Sequence, residues 1–266
     1  MTTRQHLDWD YTALADAYLS RPGYADGAID RLVEITGLGA GMRVLDLGAG
    51  AGHLTIPLAE RGCVVVALEP NLAMRSHGIE RTRRFSTVRW IDGVMEETGQ
   101  APASVGFCTY GSSFGVVDRL VTLREAARVL EDRGWFVSIF NHRVLADPLQ
   151  AEIEAFIRSY IPDFSYGSRR EEQTDVIAAS GFFEPAITSE VPVSHSLPVN
   201  QWLDAWQSHA TLRRQAGDRF PALVDGIASI ISRSRAETID VPYLTRLCLA
   251  RRRARCGAIT SFVSGP

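Results

Sequence analysis

The run Val44-Leu45-Asp46-Leu47-Gly48-Ala49-Gly50-Ala51-Gly52 leaves few folds open to this chain. An apolar stretch long enough for one buried strand runs straight into three alternate glycines, which let the main chain turn tightly and approach a bound molecule without Cβ atoms in the way. Residues 53–60 read as a helix, and a second apolar run from Cys63 to Leu68 ends in Glu69 and Pro70. Strand, glycine turn, helix, strand and acid is the opening of a doubly wound sheet. In such a sheet an acid roughly 20 residues beyond the turn accepts hydrogen bonds from ribose hydroxyls, so turn and acid together read as a nucleoside pocket.

A nicotinamide or flavin dinucleotide site shares this order of elements. It asks for Gly-x-Gly-x-x-Gly, whose third glycine lets helix and strand pack closely beside a pyrophosphate. Here the glycines are Gly48, Gly50 and Gly52, and His53 stands where that third glycine would be. An imidazole there crowds a diphosphate but leaves room beside a ligand without phosphate. A tight turn between strand and helix also has purely structural uses, so the remaining segments decide.

With 266 residues, 45% hydrophobic and 22% charged, the chain can bury a full core in one large domain, or one domain with a cap. The net charge of -3 argues against a general affinity for nucleic acid. Two basic clusters, Arg81 with Arg83 and Arg84, and Arg251-Arg252-Arg253 with Arg255, read either as solvated charge at element ends or as a local basic patch. Cys63, Cys108, Cys248 and Cys256 show neither Cys-x-x-Cys spacing nor a histidine at zinc-ligand intervals, so no metal is expected and three of them read as small buried hydrophobes. The polar start Met-Thr-Thr-Arg-Gln-His and the lack of any apolar run near the ~20 residues that span a bilayer lead us to expect no signal peptide, no membrane partner and a reducing cytoplasm.

Helical spacing over residues 8–36 is interrupted at Ser20-Arg21-Pro22-Gly23-Tyr24. Strands are expected at 43–47, 63–69, 86–91, 104–110 and 134–140, with helices near 53–60, 71–82 and 117–130. The alternation predicts an α/β fold: a doubly wound, mostly parallel seven-stranded sheet of Rossmann-like form, with ligands at the carboxyl ends of its strands. Helices at 147–160 and 172–180, a strand near 185–195, one helical segment 199–214 carrying Trp202, Trp206 and His209 on a face, a helix at 219–234 and a last strand over 241–250 complete the chain. The expected organisation is a single domain over 1–266: an N-terminal helical lid (1–40), a cofactor-binding core (41–145), and cap helices with the last two strands (146–266).

Ordered segments over most of residues 10–142 resemble one group of class I S-adenosylmethionine-dependent methyltransferases, the type 11 set that includes proteins similar to trans-aconitate methyltransferase. They are Arg21-Pro22-Gly23-Tyr24 before the sheet, the glycine turn with Glu69, Leu123-Arg-Glu-Ala-Ala-Arg-Val-Leu130 with Arg133-Gly134-Trp135, and Phe140-Asn141-His142-Arg143. Arg133 stands where that group usually has a glycine. The resemblance implies S-adenosylmethionine as cofactor, S-adenosylhomocysteine as product, and no metal. It implies that Asp46, Gly48, Ala49, Gly50 and Gly52 pack against the methionine portion and ribose, that Glu69 binds the ribose hydroxyls, and that Pro70 and Leu72 lie against adenine. Gly93, Val94 and Met95 would meet the adenine edge, with Asp92 substituting for the acid usual at Val94, and Tyr110 and Gly111 would offer backbone contacts to the cofactor's amino group. Arg21, with Tyr18, reads as a partner for the methionine carboxylate or as a surface residue of a turn; a guanidinium fork suits the first role.

Methyl transfer from a sulfonium is an in-line displacement whose main demand is alignment in a site closed to water, and a base is needed only when the acceptor holds its proton. His142 is the expected base, or else a loop histidine bonded to backbone, because its position follows the fifth strand and its ordinary pKa lies near neutrality. Tyr110 is the second catalytic expectation, as a hydrogen-bond donor to the acceptor. His53 is expected to orient Asp46 or face the cofactor, Ser112 and Ser113 either to hydrogen-bond the acceptor or to cap the next helix, and His195 to end the sixth strand. The Trp202, Trp206 and His209 stripe reads as core or as an acceptor-site wall suited to an apolar or aromatic molecule. The expected activity is methyl transfer to oxygen, nitrogen or carboxylate of a small molecule, by a monomer or homodimer without a nucleic-acid partner. The alternatives are an RNA or protein methyltransferase, or a protein of this fold that binds the cofactor without transferring methyl.

Overall fold

The computed structural model describes residues 11–167 and 171–254. Residues 8–10 of the first expected helix, part of the polar region 165–171, Arg255 and Cys256 lie outside the described residues. A short N-terminal segment contains α1 (Ala15–Tyr18) and α2 (Asp26–Thr36), which Gly37 ends in the left-handed conformation. The sheet and its helices follow as β1 (Arg43–Leu47), α3 (Thr55–Glu60), β2 (Val64–Leu68), α4 (Leu72–Thr82), β3 (Val88–Ile91), β4 (Val105–Gly111), α5 (Arg119–Val129) and β5 (Leu130–Arg143). After β5 come α6 (Pro148–Tyr160), α7 (Thr174–Ser180), β6 (Ile187–Pro198), α8 (Val199–Gln207), α9 (Ala210–Ala216), α10 (Phe220–Ser232) and β7 (Thr238–Arg251).

The seven strands form one sheet in the order β3-β2-β1-β4-β5-β7-β6. The first five pair in parallel, and β7 runs antiparallel to both β5 and β6. The strand order therefore reverses between β1 and β4, which is where a doubly wound sheet opens a crevice at the carboxyl ends of its strands. Period-two alternation divides the core between the two faces. Leu45, Leu47, Cys108, Tyr110 and Phe136 pack on one face beneath α5 and α7, whereas Val44, Phe107, Val137 and Ile139 pack on the other with Ile29, Leu32, Leu54 and Leu58.

The cap has an apolar core of its own. Ile153 and Ile157 of α6, Trp202 and Trp206 of α8, Leu212 of α9, and Leu223, Ile227 and Ile231 of α10 enclose one another above the ends of β6 and β7. The expected continuous helix 199–214 is broken after Gln207, because the His209 imidazole accepts the Leu212 amide at 3.2 Å and starts α9 as its cap. β5 is longer than expected and carries Asn141, His142 and Arg143 within the ladder to β7.

The described arginines of both basic clusters bind inward or to neighbouring acids. Arg81 donates to the Ala51 carbonyl, Arg83 pairs with Glu80, and Arg84 pairs with Glu60. Arg251 and Arg253 donate to the carbonyls of Arg133 and Phe183, and Arg252 bonds the Ala127 carbonyl and the Asp132 carboxylate. Cys63, Cys108 and Cys248 are free and buried. Among the described residues no helix is long and apolar enough to cross a membrane.

Candidate active site

The turn after β1 is built by glycine conformations that other residues resist. Gly48, Gly50 and Gly52 have φ of 66°, 56° and 82°. A Cβ on Gly48 would lie 2.8 Å from the Ser113 Cβ and 3.0 Å from the Met95 methyl carbon, so sequence and neighbours both require its absence. The Gly48 and Ala49 amides donate to the Leu68 carbonyl at 2.9 and 3.0 Å, which ties the turn to the end of β2. There Glu69 fixes the loop from the other side. One carboxylate oxygen accepts the Gly50 amide and the other the Asn71 amide, each at 2.9 Å. Burial pushes the Glu69 carboxyl up, against the pull of these two amides and of Arg75. Each oxygen keeps a lone pair for a further donor.

Beneath the turn, Asp46 is fully buried and receives the Thr55 hydroxyl at 2.6 Å and the Thr109 hydroxyl at 2.9 Å. Burial raises its pKa to about 6 despite both hydrogen bonds. His53 therefore does not orient Asp46, as one expectation had it. Its ring lies edge-on to Tyr18, with centroids 5.5 Å apart, and neither ring nitrogen has a hydrogen-bond partner among the described residues. Burial, then the charges of Arg81 and Arg21, lower its pKa to about 3, and the opposing influence of the Arg21 main chain is smaller.

A cavity of about 190 Å³ opens from Asp46, Gly48, Ala49 and Gly50 toward the cap. Its walls come from three parts of the chain: Tyr18, Arg21 and Tyr24 of the N-terminal segment, Gly111, Ser112, Phe140, His142 and Arg143 from the ends of β4 and β5, and Trp202, Trp206, His209 and Tyr243 at the cap. Specific bonds hold the N-terminal segment across the crevice. Asn71 donates to the Thr12 hydroxyl at 2.9 Å, His77 meets Asp16 at 2.9 Å, and Asn141 donates to the Gly23 carbonyl at 2.8 Å. The Arg21 guanidinium reaches the link between α8 and α9, donating to the Ser208 hydroxyl at 2.8 Å and its carbonyl at 2.6 Å. Arg21 is thus engaged with the cap and stacked over Tyr18 at 4.1 Å, rather than standing as a free surface residue.

The cavity brings together Tyr18, Arg21, Asp46, Gly48, Ala49, Gly50, Gly111 and His142 from the expected set. Gly52, Glu69, Pro70, Leu72, Gly93, Val94 and Met95 lie outside its lining, on the β2 and β3 side of the turn. Leu72 opens α4 and is 68% exposed, while the Met95 side chain is buried and Asp92 pairs with Arg75 at 3.3 Å. Met95 and Met74 press their methyl groups toward Gly48 and Gly50 with unbranched, adaptable side chains.

Tyr110 is a correction. Its ring is fully buried between Phe114 and Phe136, and its hydroxyl meets Thr122 at 3.2 Å, so it cannot reach an acceptor in the cavity. The reason is strand parity, since Tyr110 shares the face of Cys108 and Phe136 while Thr109 points toward Asp46. Of the two readings of Ser112 and Ser113, the capping one does not hold: Ser112 meets the Tyr24 hydroxyl, Ser113 donates to the Leu47 carbonyl, and Asp118 caps α5. His195 lies within β6 rather than at its end.

Sequence reading missed Ser112, Tyr24, Arg143, Tyr166, Gln173 and Tyr243 as cavity residues. Tyr24 and Arg143 sit in segments already singled out, Arg21-Pro22-Gly23-Tyr24 and Asn141-His142-Arg143, and that proximity was the available signal. Ser112 carries φ of 60°, a conformation rare in residues with a side chain, at the mouth of the crevice. No sequence signal announces it.

Residues 45–138 match a family model described as a methyltransferase domain. An uncharacterized methyltransferase of Mycobacterium tuberculosis is 34% identical over 142 residues, which are 53% of this chain and 56% of the relative. A trans-aconitate 2-methyltransferase of the same species is 40% identical over 75 residues, 27% of each chain. The chain spans about half the length of the first of these relatives and a quarter of the second. Phosphoethanolamine N-methyltransferase 2 of Haemonchus contortus, solved with phosphomonomethylethanolamine and S-adenosylhomocysteine, superposes with a TM-score of 0.53 over 92% of this chain and 60% of its own, at 14% identity. The matched stretch, 94 of the 266 residues, runs from β1 to the middle of β5, and the sheet around it has the fold of the Rossmann-like methyltransferases, to which this chain is similar.

Proposed function

We propose that this chain transfers a methyl group from S-adenosylmethionine to oxygen, nitrogen or carboxylate of a small molecule held beneath the cap. The observation that carries this reading is the continuity of one cavity from the glycine turn to the cap aromatics, which gives donor and acceptor a common enclosure. The residues at the turn fit a zwitterionic nucleoside. Arg21 is the cation for its carboxylate, Gly48 to Gly50 admit close approach of the backbone, and Glu69 has lone pairs for two ribose hydroxyls at the carboxyl end of β2. Leu72 would face adenine, with Gly93, Val94 and Met95 at its edge.

S-adenosylmethionine supplies a methyl group already activated by the sulfonium charge. The chain's own residues then have to hold an acceptor in line and keep water out, and such alignment accounts for several orders of magnitude in rate. The N-terminal segment closes one side of the cavity through Arg21 and Asn141, and α8 closes the other. His142, at the end of β5 and 4.8 Å from the Phe140 ring, lines the cavity, and in this reading its imidazole takes a proton from a hydroxyl or amine acceptor. The engagement of the described arginines of both clusters with the chain's own carbonyls and acids favours a small acceptor over RNA.

Calorimetric titration with S-adenosylhomocysteine tests the donor half. One site per chain is expected, with affinity falling at least about tenfold in Glu69→Gln, whose amide can no longer serve both the loop amides and the ribose. Absence of binding to the unsubstituted protein would overturn the reading.

A further inference from the structure

Two guanidinium groups line the cavity, and among the described residues neither has a carboxylate partner. Arg143, the last residue of β5, donates to the neutral Gln150 oxygen at 3.0 Å and to the Tyr166 hydroxyl at 3.1 Å, and its plane lies 4.2 Å over the Trp206 ring. Arg21 donates to Ser208 and lies over the Tyr18 ring. Both charges act on the buried Tyr243 hydroxyl, which lines the same cavity. Nearby acids are already used. Asp46, the one carboxylate lining the cavity among the described residues, has both oxygens held by threonines at the glycine end. Glu154 accepts the Tyr166 hydroxyl and pairs with Arg158. Enclosed cations without counter-charge are costly, and a planar guanidinium fork is the natural partner of a carboxylate.

The cap side of the cavity is also flat and aromatic. Trp202, Trp206, Phe140 and Tyr166 present ring surfaces beside Arg143. Two lining residues carry buried polar atoms without a hydrogen-bond partner among the described residues, the Trp206 indole nitrogen and the Gln173 side-chain oxygen. The first calls for an acceptor and the second for a donor. Arg21 stands beside the glycine turn, on the donor side, whereas Arg143 stands under the cap.

We infer that the methyl acceptor is a small planar carboxylic acid, its carboxylate clasped by Arg143 and its flat body lying against the cap rings. This names the substrate class for the site and rests on the methyltransferase reading. A neutral or cationic acceptor would leave Arg143 uncompensated in the enclosure and would be the poorer ligand.

The test is calorimetric. Protein with and without saturating S-adenosylhomocysteine is titrated with benzoate, 4-hydroxybenzoate, anthranilate and cinnamate, each beside its primary amide, which keeps the shape and removes the charge. At least one acid is expected to bind below ~1 mM and about tenfold tighter than its amide. In Arg143→Gln, which retains a donor for Gln150 and Tyr166, that preference should vanish while S-adenosylhomocysteine affinity stays unchanged. Arg143→Lys keeps the charge without the fork and should fall between the two, which also serves if the glutamine variant does not fold. Equal binding of acid and amide, a preference that survives both substitutions, or no binding by any of the acids would overturn the inference. Loss of S-adenosylhomocysteine binding by the unsubstituted protein, with the acid preference intact, would instead remove the donor reading and leave the anion site standing.

Discussion

His53 offers a direct measure of how tightly the base of the cavity is closed. Its ring nitrogens are buried without a hydrogen-bond partner among the described residues, and burial, then the charges of Arg81 and Arg21, lower its pKa from 6.5 to about 3. The folded state thus favours the neutral ring. The unfolded chain takes up a proton near pH 6.5 that the folded protein refuses, so the stability contributed by neutral His53 is complete above that pH and drains as pH falls. The loss approaches about 1.4 kcal/mol per pH unit and comes to roughly 2 kcal/mol between pH 6.5 and 4.5. Asp46 acts in the opposite sense. Its folded pKa is raised from 3.8 to about 6, so its contribution is full below the lower value and is lost as pH rises through the higher one. Between about pH 6 and 4.5 the two slopes offset one another, and the unsubstituted protein alone reveals neither. His53→Phe removes only the first. Urea denaturation followed by tryptophan fluorescence at pH 7.5, 6.5, 5.5 and 4.5 should show the variant gaining on the unsubstituted protein by roughly 3 kcal/mol from the highest pH to the lowest. The larger ring shifts the whole difference by a constant without changing its slope. A difference independent of pH would mean that the folded protein protonates this imidazole as readily as the unfolded chain, and would refute the burial of its ring nitrogens.

Gly48→Ala places a Cβ 2.8 Å from the Ser113 Cβ at φ of 66° and should cost roughly 2–5 kcal/mol in urea denaturation; unchanged stability would contradict the close approach. Arg133 is exposed at φ of 62°, and its carbonyl, not its side chain, receives Arg251, so Arg133→Gly should raise the melting temperature by relieving up to ~1 kcal/mol of strain after the entropy of the more flexible unfolded chain is set against it. A lower melting temperature would count against that conformation. Tyr110→Phe forfeits the Thr122 bond and about 1 kcal/mol of stability but should leave S-adenosylhomocysteine affinity and methyl transfer unchanged; a large fall in transfer would return Tyr110 to the active site.

The features legible in the sequence are those whose chemistry is written in the main chain. Gly48, Gly50 and Gly52 announce positive φ because other residues resist it, and Glu69 follows at the distance that two successive strands impose. Arg133 was visible as a departure from the usual glycine, and its left-handed φ shows why glycine is usual there. Tyr110 was misread because β4 is buried on both faces, so its apolar run carries no sign of which parity meets the crevice. Trp202, Trp206 and His209 fit one helical stripe, and nothing in their spacing reveals that the His209 ring ends the helix by capping the next one. Arg143, Tyr166, Gln173 and Tyr243 meet only because the cap folds back over β5, and that packing depends on many small apolar contacts rather than on a motif.

A crystal structure of the S-adenosylhomocysteine complex tests the shared enclosure of donor and acceptor most directly. The ligand should lie on Gly48 to Gly50 with its ribose on Glu69, Met95 and Met74 should have moved off the turn, and the sulfur should open into the space between His142, Arg143 and Trp206. A sulfur facing bulk solvent, or a bound ligand whose sulfur is walled off from the cap, would contradict it.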